Sequence, residues 1–278
     1  MRRSVMRSET GWGQRLVSAS IAVVSRSLLA RDAVRGLTRG LRKDPSREEF
    51  FFAGGSRMLA GIYVAGEVDG PVILLCHGIG ETVEHWSAVQ AWLHDQGVGS
   101  LVFNYSGYGK SSGRICVENC DEDLLSGYAE LRRRVGTEAR VFVLGFSMGS
   151  GIASTGVRRL SPPPEGLFLC EAFTSFREAA RAAWTPAWVV GRFADTWNTV
   201  EAVRGLRVPV CVVHSDGDRL FPMDMARRIA DACGGELVVV SGLAHNEPYR
   251  KPTAAYWGPV VETAKSGFVA HSLAEMKG

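Results

Sequence analysis

Residues 140–149 read Arg140-Val141-Phe142-Val143-Leu144-Gly145-Phe146-Ser147-Met148-Gly149. An apolar run of strand-forming residues, Arg140–Leu144, leads straight into a G-x-S-x-G turn, and an Ala- and Arg-containing helical stretch follows. Strand, serine turn and helix in this order form the setting in which such a pentapeptide holds a nucleophile. The turn is so tight that side chains at Gly145 and Gly149 would collide with neighbouring elements. Ser147 is therefore expected above the edge of a sheet, at a helix N-terminus whose free N–H groups favour developing negative charge.

Similar apolar runs flank this one: Val72–Cys76 and Ser100–Asn104 before it, Leu167–Glu171, Val208–His214 and Glu236–Val240 after it. They are short, rich in Val, Leu and Phe, and lack clean alternation, as strands covered on both faces should. Phe50–Ala53 and Met58–Val64 read as a hairpin around Gly54-Gly55. Helical spacing fills the gaps, for example Trp86-Val89-Trp92-Leu93 and Leu124-Leu125-Tyr128-Leu131. The alternation predicts an α/β fold with a mostly parallel, doubly wound eight-stranded sheet and helices on both faces. One domain over residues 48–278 accounts for the pattern, preceded by a basic amphipathic segment, residues 1–47.

Composition narrows the function. Of 278 residues 46% are hydrophobic, which excludes a disordered or fibrous chain. No apolar run approaches the roughly 20 residues of a membrane-spanning helix. The net charge of +3 argues for no nucleic-acid partner. Residues 1–43 carry Arg39, Arg42, Lys43 and seven further arginines against Glu9 and Asp32, a net of +8, leaving a mildly acidic body. Within that segment Val17, Ile21, Val24 and Leu28 form one helical stripe, with Arg15 and Arg26 opposite. Such a helix is expected to lie on an anionic membrane surface, to target the chain to an organelle, or to pack on the body. In the first two roles it would be dispensable for catalysis. The six cysteines are scattered, with Cys76, Cys170 and Cys211 inside strand-like runs, so reduced thiols and a cytoplasmic setting are expected. Cys116 and Cys120, with no histidine nearby, make no zinc site; no metal or cofactor is expected.

A nucleophilic serine needs a base and an acid. Of the six histidines, His245 in Gly242-Leu243-Ala244-His245-Asn246 lies just past the last strand, on a loop free to aim it. His271, near the C-terminus, has no such setting. The loop His214-Ser215-Asp216-Gly217-Asp218-Arg219-Leu220-Phe221-Pro222 offers two acids of the right type, Asp216 and Asp218. His77-Gly78-Ile79-Gly80 follows the first parallel strand. The backbone N–H groups of Ile79 and Met148 are placed to hold an oxyanion, at about 3 kcal/mol per donor. His77 itself reads as a structural hydrogen-bonding residue.

As an ordered set these pieces, with Asn104-Tyr105-Ser106-Gly107-Tyr108-Gly109-Lys110-Ser111-Ser112-Gly113, resemble the α/β-hydrolases. The likeness is to the compact serine-aminopeptidase-like branch that includes depalmitoylases and bacterial esterases. The resemblance implies the triad Ser147, Asp218 and His245, with the acid at Asp218 because the family places it four residues after a histidine and four before a proline. Asn104 stands where the family usually has aspartate, at a structural position. Residues Ala172 to Arg207 leave room for a minimal cap of two or three short helices. Phe146, Phe173, Trp184, Trp188 and Phe221 are expected to contact substrate, a small-molecule or lipid-like acyl compound. The resulting expectation is a serine hydrolase that cleaves a carboxylic ester or thioester through an acyl-enzyme. Competing readings are an acyltransferase, a serine aminopeptidase, or a catalytically silent binding protein. Oligomeric state is not encoded.

Overall fold

The computed structural model describes residues 2–35 and 47–268, with side chains from Gly11 to Arg31 and from Arg47 onward. Arg39, Arg42, Lys43 and His271 lie outside the described residues. A hairpin of β1 (Arg47–Gly54) and β2 (Arg57–Val64) leads into β3 (Val72–Cys76), β4 (Gly99–Phe103), β5 (Val141–Phe146), β6 (Gly166–Cys170), β7 (Val210–Ser215) and β8 (Glu236–Val240). They form one sheet in the order β1-β2-β4-β3-β5-β6-β7-β8. Strands β3 to β8 run parallel, and β2 pairs antiparallel to both β1 and β4.

The predicted runs fall on these strands, shifted by one to three residues at several ends. Central strands show no polar alternation because both of their faces are dry. Val72, Leu74 and Cys76 point into one core layer, Ile73 and Leu75 into the other. The first layer is completed by Leu124 and Tyr128 of α3 (Val117–Val135), Ile152 of α4 (Met148–Gly156) and Ile229 of α8 (Met223–Cys233). The second takes Val89 and Leu93 of α2 (Ser87–Asp95) and Trp257 and Val260 of α10 (Ala254–Ser266). Between β6 and β7 lie α5 (Phe176–Ala182), α6 (Ala187–Val190) and α7 (Thr199–Val203), the expected minimal cap. The short α9 (Glu247–Arg250) follows the loop after β8.

Helix α1 (Arg2–Arg35) packs on the body, one of the three roles open to its stripe. Its apolar stripe does not form a free surface: Val17 and Ile21 are fully buried in the layer that holds α3 and α4. Ser18 accepts a hydrogen bond at 3.1 Å from the Val117 N–H at the start of α3, and Ser25 meets the Tyr108 hydroxyl at 2.5 Å. Leu28 lies so close over Gly80, φ +73, that a Cβ there would strike its side chain. Arg15, Arg26 and Arg31 stay on the outside. No described helix is long and apolar enough to cross a membrane.

Candidate active site

Ser147 sits between the last residue of β5 and the first of α4, with φ 51 and ψ −117. A non-glycine backbone there costs about 1–3 kcal/mol and persists only where its surroundings hold it. Two glycines do so. A Cβ on Gly149 would run into the Cys76 carbonyl, and one on Gly145 into that of Gly149. The sequence reading of this turn is thus matched atom by atom.

Three loops converge on the serine. His245 Nε2 lies 3.0 Å from Ser147 Oγ, and His245 Nδ1 lies 2.7 Å from Asp218 Oδ2. The other Asp218 oxygen accepts from the Leu220 and Phe221 N–H groups at 2.7 and 3.0 Å. Burial alone would raise the Asp218 carboxyl. Hydrogen bonding and charge from His245 outweigh it, with help from Glu171 and the Phe221 N–H, and hold the group below its ordinary value. An ionised carboxylate only accepts, so Nδ1 carries the proton and Nε2 presents a lone pair to the serine hydroxyl. Such an arrangement can take a proton from Ser147 as its oxygen attacks a carbonyl carbon. Asp216, the other candidate acid, instead accepts from Gly242 N–H at 2.7 Å and from the Ser241 hydroxyl at 3.2 Å. It shapes the loop that carries His245.

Ile79 borders the cavity above Ser147. The turn that presents it is fixed by Glu81, which sequence reasoning missed. This buried carboxylate accepts from Gly78 N–H at 2.8 Å and from the Trp86 indole at 2.9 Å. Ser215 was missed too. Its hydroxyl donates to the Leu243 carbonyl at 2.8 Å and accepts from the Leu243 N–H at 2.9 Å, stapling the Asp218 loop to the His245 loop. His77 is structural, as expected: its Nδ1 lies 2.8 Å from the Gly78 carbonyl, and burial pushes its pKa down to about 3. Asn104 is structural as well, accepting from Val83 N–H at 3.0 Å.

Ser147 and Met148 floor a cavity of about 130 Å³. Its walls come from Ile21 and Val24 of α1, Phe176 and Ala180 of α5, and from Phe173 and Phe221. Phe173 and Phe221 thus lie where the sequence put them. Three other expected substrate contacts do not. Phe146 is wholly buried on the opposite face of the sheet, behind His245 and against Trp86 and Tyr249. It shares a strand face with Phe142 and Leu144, and that two-residue period could have excluded it. Trp184 and Trp188 are 93% and 70% exposed, and neither lines the cavity, although Ala183 and Thr185 on either side of Trp184 do. Among the described residues, only Glu171, His214 and Asp218 bring three potential metal-ligand atoms together. The Asp218 oxygens there are already bonded to His245 and to backbone N–H groups.

Residues 69–199 match the family model for serine aminopeptidase, S33. An uncharacterised protein of Mycobacterium tuberculosis is 29% identical over 185 residues, which cover 64% of this chain and 64% of that protein. Lysophosphatidylserine lipase ABHD12 of Danio rerio is 28% identical over 181 residues, covering 58% of this chain and 47% of the lipase. The alignments therefore span roughly half to two thirds of the curated relatives' length. The crystal structure of an α/β-hydrolase from Vibrio vulnificus matches with a TM-score of 0.67 at 20% identity, over 87% of this chain and 86% of that one. Sheet order, serine turn and structural match agree on an α/β-hydrolase fold, and residues 69–199 are similar to the serine-aminopeptidase-like side of that superfamily.

Proposed function

We propose that this hydrolase cleaves a carboxylic ester or thioester of an apolar acyl group, with Ser147 as nucleophile, His245 as general base and Asp218 as its orienting acid. The observation that carries the reading is the 3.0 Å contact between His245 Nε2 and Ser147 Oγ on the floor of an apolar cavity. Ser147 Oγ attacks the acyl carbon while His245 takes its proton. The tetrahedral oxyanion faces the N–H groups of Ile79 and Met148, backed by the N-terminus of α4. Collapse expels the alcohol or thiol, protonated by His245, and leaves the acyl group on Ser147. Water then attacks the acyl carbon and gives a proton to His245; collapse breaks the acyl–Oγ bond, His245 returns that proton to Ser147 Oγ, and the acid leaves.

The cavity lining supports an acyl chain over a peptide amine, since among the described residues it includes no acidic side chain that would receive an α-ammonium group. Relatives named lysophosphatidylserine lipase support a lipid-like acyl group. Labelling with a fluorophosphonate, followed by a p-nitrophenyl ester series from acetate to decanoate, tests the proposal. An adduct on Ser147 and turnover of the esters are expected. A folded protein that takes no label would reject it.

A further inference from the structure

The end of β6 carries a buried acid that the proposed reaction leaves unexplained. Glu171 is fully buried, and its backbone holds φ +44, a conformation rare for a non-glycine residue. Its Oε1 accepts from Ser215 N–H at 3.0 Å, while Oε2 lies 3.6 Å from His214 Nδ1. The His214 tautomer follows from its other nitrogen: Nε2 is 2.9 Å from the Phe221 carbonyl, which can only accept. Burial lowers the His214 pKa, so the ring is neutral, Nε2 carries the proton, and Nδ1 presents a lone pair. The Asp218 carboxylate is the third group of this cluster, its ligand atom within 4.8 Å of the other two. Three acceptors thus meet in a space without water contact. Such a meeting is repulsive unless one of them holds a proton.

We propose that Glu171 is that proton's holder and a positioning residue: its neutral carboxyl donates to the Asp218 carboxylate and fixes it against His245. The proposal rests on the serine-hydrolase reading above. Glu171 touches neither the serine nor the cavity; it acts through Asp218.

Burial, with the adjacent Asp218 charge, pushes the Glu171 carboxyl up to about 9. The groups facing it are His214 from β7, Asp218 with His245 beyond it, Tyr256 from α10 and Cys170 on its own strand. Tyr256 and Cys170 are raised well above their ordinary values by burial, whereas His214 and Asp218 are lowered. Ionising Glu171 would set two carboxylates side by side and remove the proposed donor to Asp218, leaving His245 and the Leu220 and Phe221 N–H groups to hold it. The turnover rate is therefore expected to fall as pH rises through about 9. Stability follows the same sign. The unfolded chain releases this proton near pH 4.3, so native stability declines between that pH and about 9.

The test uses the full chain as wild type, Glu171→Gln, Glu171→Ala and Ser147→Ala, with p-nitrophenyl butyrate from pH 6 to above pH 9. Glutamine keeps an N–H donor at every pH. Glu171→Gln should therefore retain turnover at neutral pH, lose the alkaline limb, and show a flatter fall of melting temperature with pH. Glu171→Ala should lose kcat roughly tenfold or more, the scale seen when an orienting partner is removed, with KM little changed. An alkaline limb identical in wild type and Glu171→Gln overturns the proposal while an inactive Ser147→Ala leaves the serine reading standing. An active Ser147→Ala removes both. Infrared titration of the wild type gives a measurement that needs no variant: loss of a protonated-carboxyl band near pH 9 supports the role, and its absence overturns it.

Discussion

Ser147, Asp218 and His245 leave the carboxyl ends of parallel strands β5, β7 and β8, whereas the wall across the cavity from them comes from α1 and the cap helix α5. The reacting side is held by hydrogen bonds of 2.7 to 3.0 Å, each with one geometry that works. The proposed acyl side is an apolar lining that includes Ile21, Val24, Phe176 and Ala180, and apolar burial is non-directional and tolerates adjustment. A site built this way should fail abruptly on one side and by degrees on the other.

The largest effect tests the abrupt side. Ser147→Ala and His245→Ala are each expected to lower kcat by about 10⁴-fold or more, and the double variant by no more than the worse single, because the two act as a unit. Steady-state turnover of p-nitrophenyl butyrate measures this. Losses that multiply would mean that the serine and histidine do not share a proton. Asp218→Asn should follow at about 10⁴-fold, since an amide there favours the wrong imidazole tautomer. Asp216→Asn should remain within roughly tenfold, because it alters only the ties to Gly242 and Ser241. The reverse ranking, with both proteins folded, would transfer the acid's role to Asp216.

The same contrast governs what could be read from sequence. The serine turn was legible because it demands glycines at two fixed offsets, and the strands because full burial leaves continuous apolar runs. Asp216 and Asp218 were not separable by residue type. Family likeness chose between them, and the loop geometry agrees. The stripe through Val17 and Ile21 announced that α1 would bury a face, but periodicity carries no address, and the surface it covers proved to be the cavity of its own chain. Trp184 and Trp188 misled for the same reason: one sits in the turn after α5 and the other on the short α6, and aromatic spacing does not say which side faces inward. Glu171 was hidden at the end of an apolar run, where nothing local marks a buried acid.

The gradual side is open to a chain-length series. Each methylene that enters the cavity should raise kcat/KM about 4-fold, from roughly 0.8 kcal/mol per buried CH₂, until the chain outgrows the space. Val24→Trp should lower the longest accepted acyl chain and leave acetate turnover unchanged. Ile21→Ala should move the optimum towards longer chains while lowering stability by about 2–5 kcal/mol, the cost of a core cavity. Unchanged length preference in both variants would separate α1 from the acyl site. A fall in acetate turnover equal to that for long chains would instead mean that α1 holds the reacting side.

The smallest expected effect is the sharpest probe of where the acyl side ends. Trp184 sits between Ala183 and Thr185, both of which line the cavity, yet its own side chain is 93% exposed. Its backbone holds φ +62, in the left-handed region. Replacing it by glycine removes a backbone cost of about 1–2 kcal/mol and surrenders little buried surface. The freer unfolded chain offsets about 0.4–1 kcal/mol of that gain. The net is a stabilisation of about 0–1.6 kcal/mol, read as a rise in Tm of up to about 6 °C for a chain of this size. Trp184→Ala keeps the left-handed cost and should leave Tm where it is. In both variants the chain-length profile should match wild type. Phe173→Ala, truncating a buried ring of the cavity wall, should instead cost about 3–5 kcal/mol and change that profile. A selective loss of long-chain turnover in both Trp184 variants would place the indole on the substrate and extend the acyl side beyond the cavity described here.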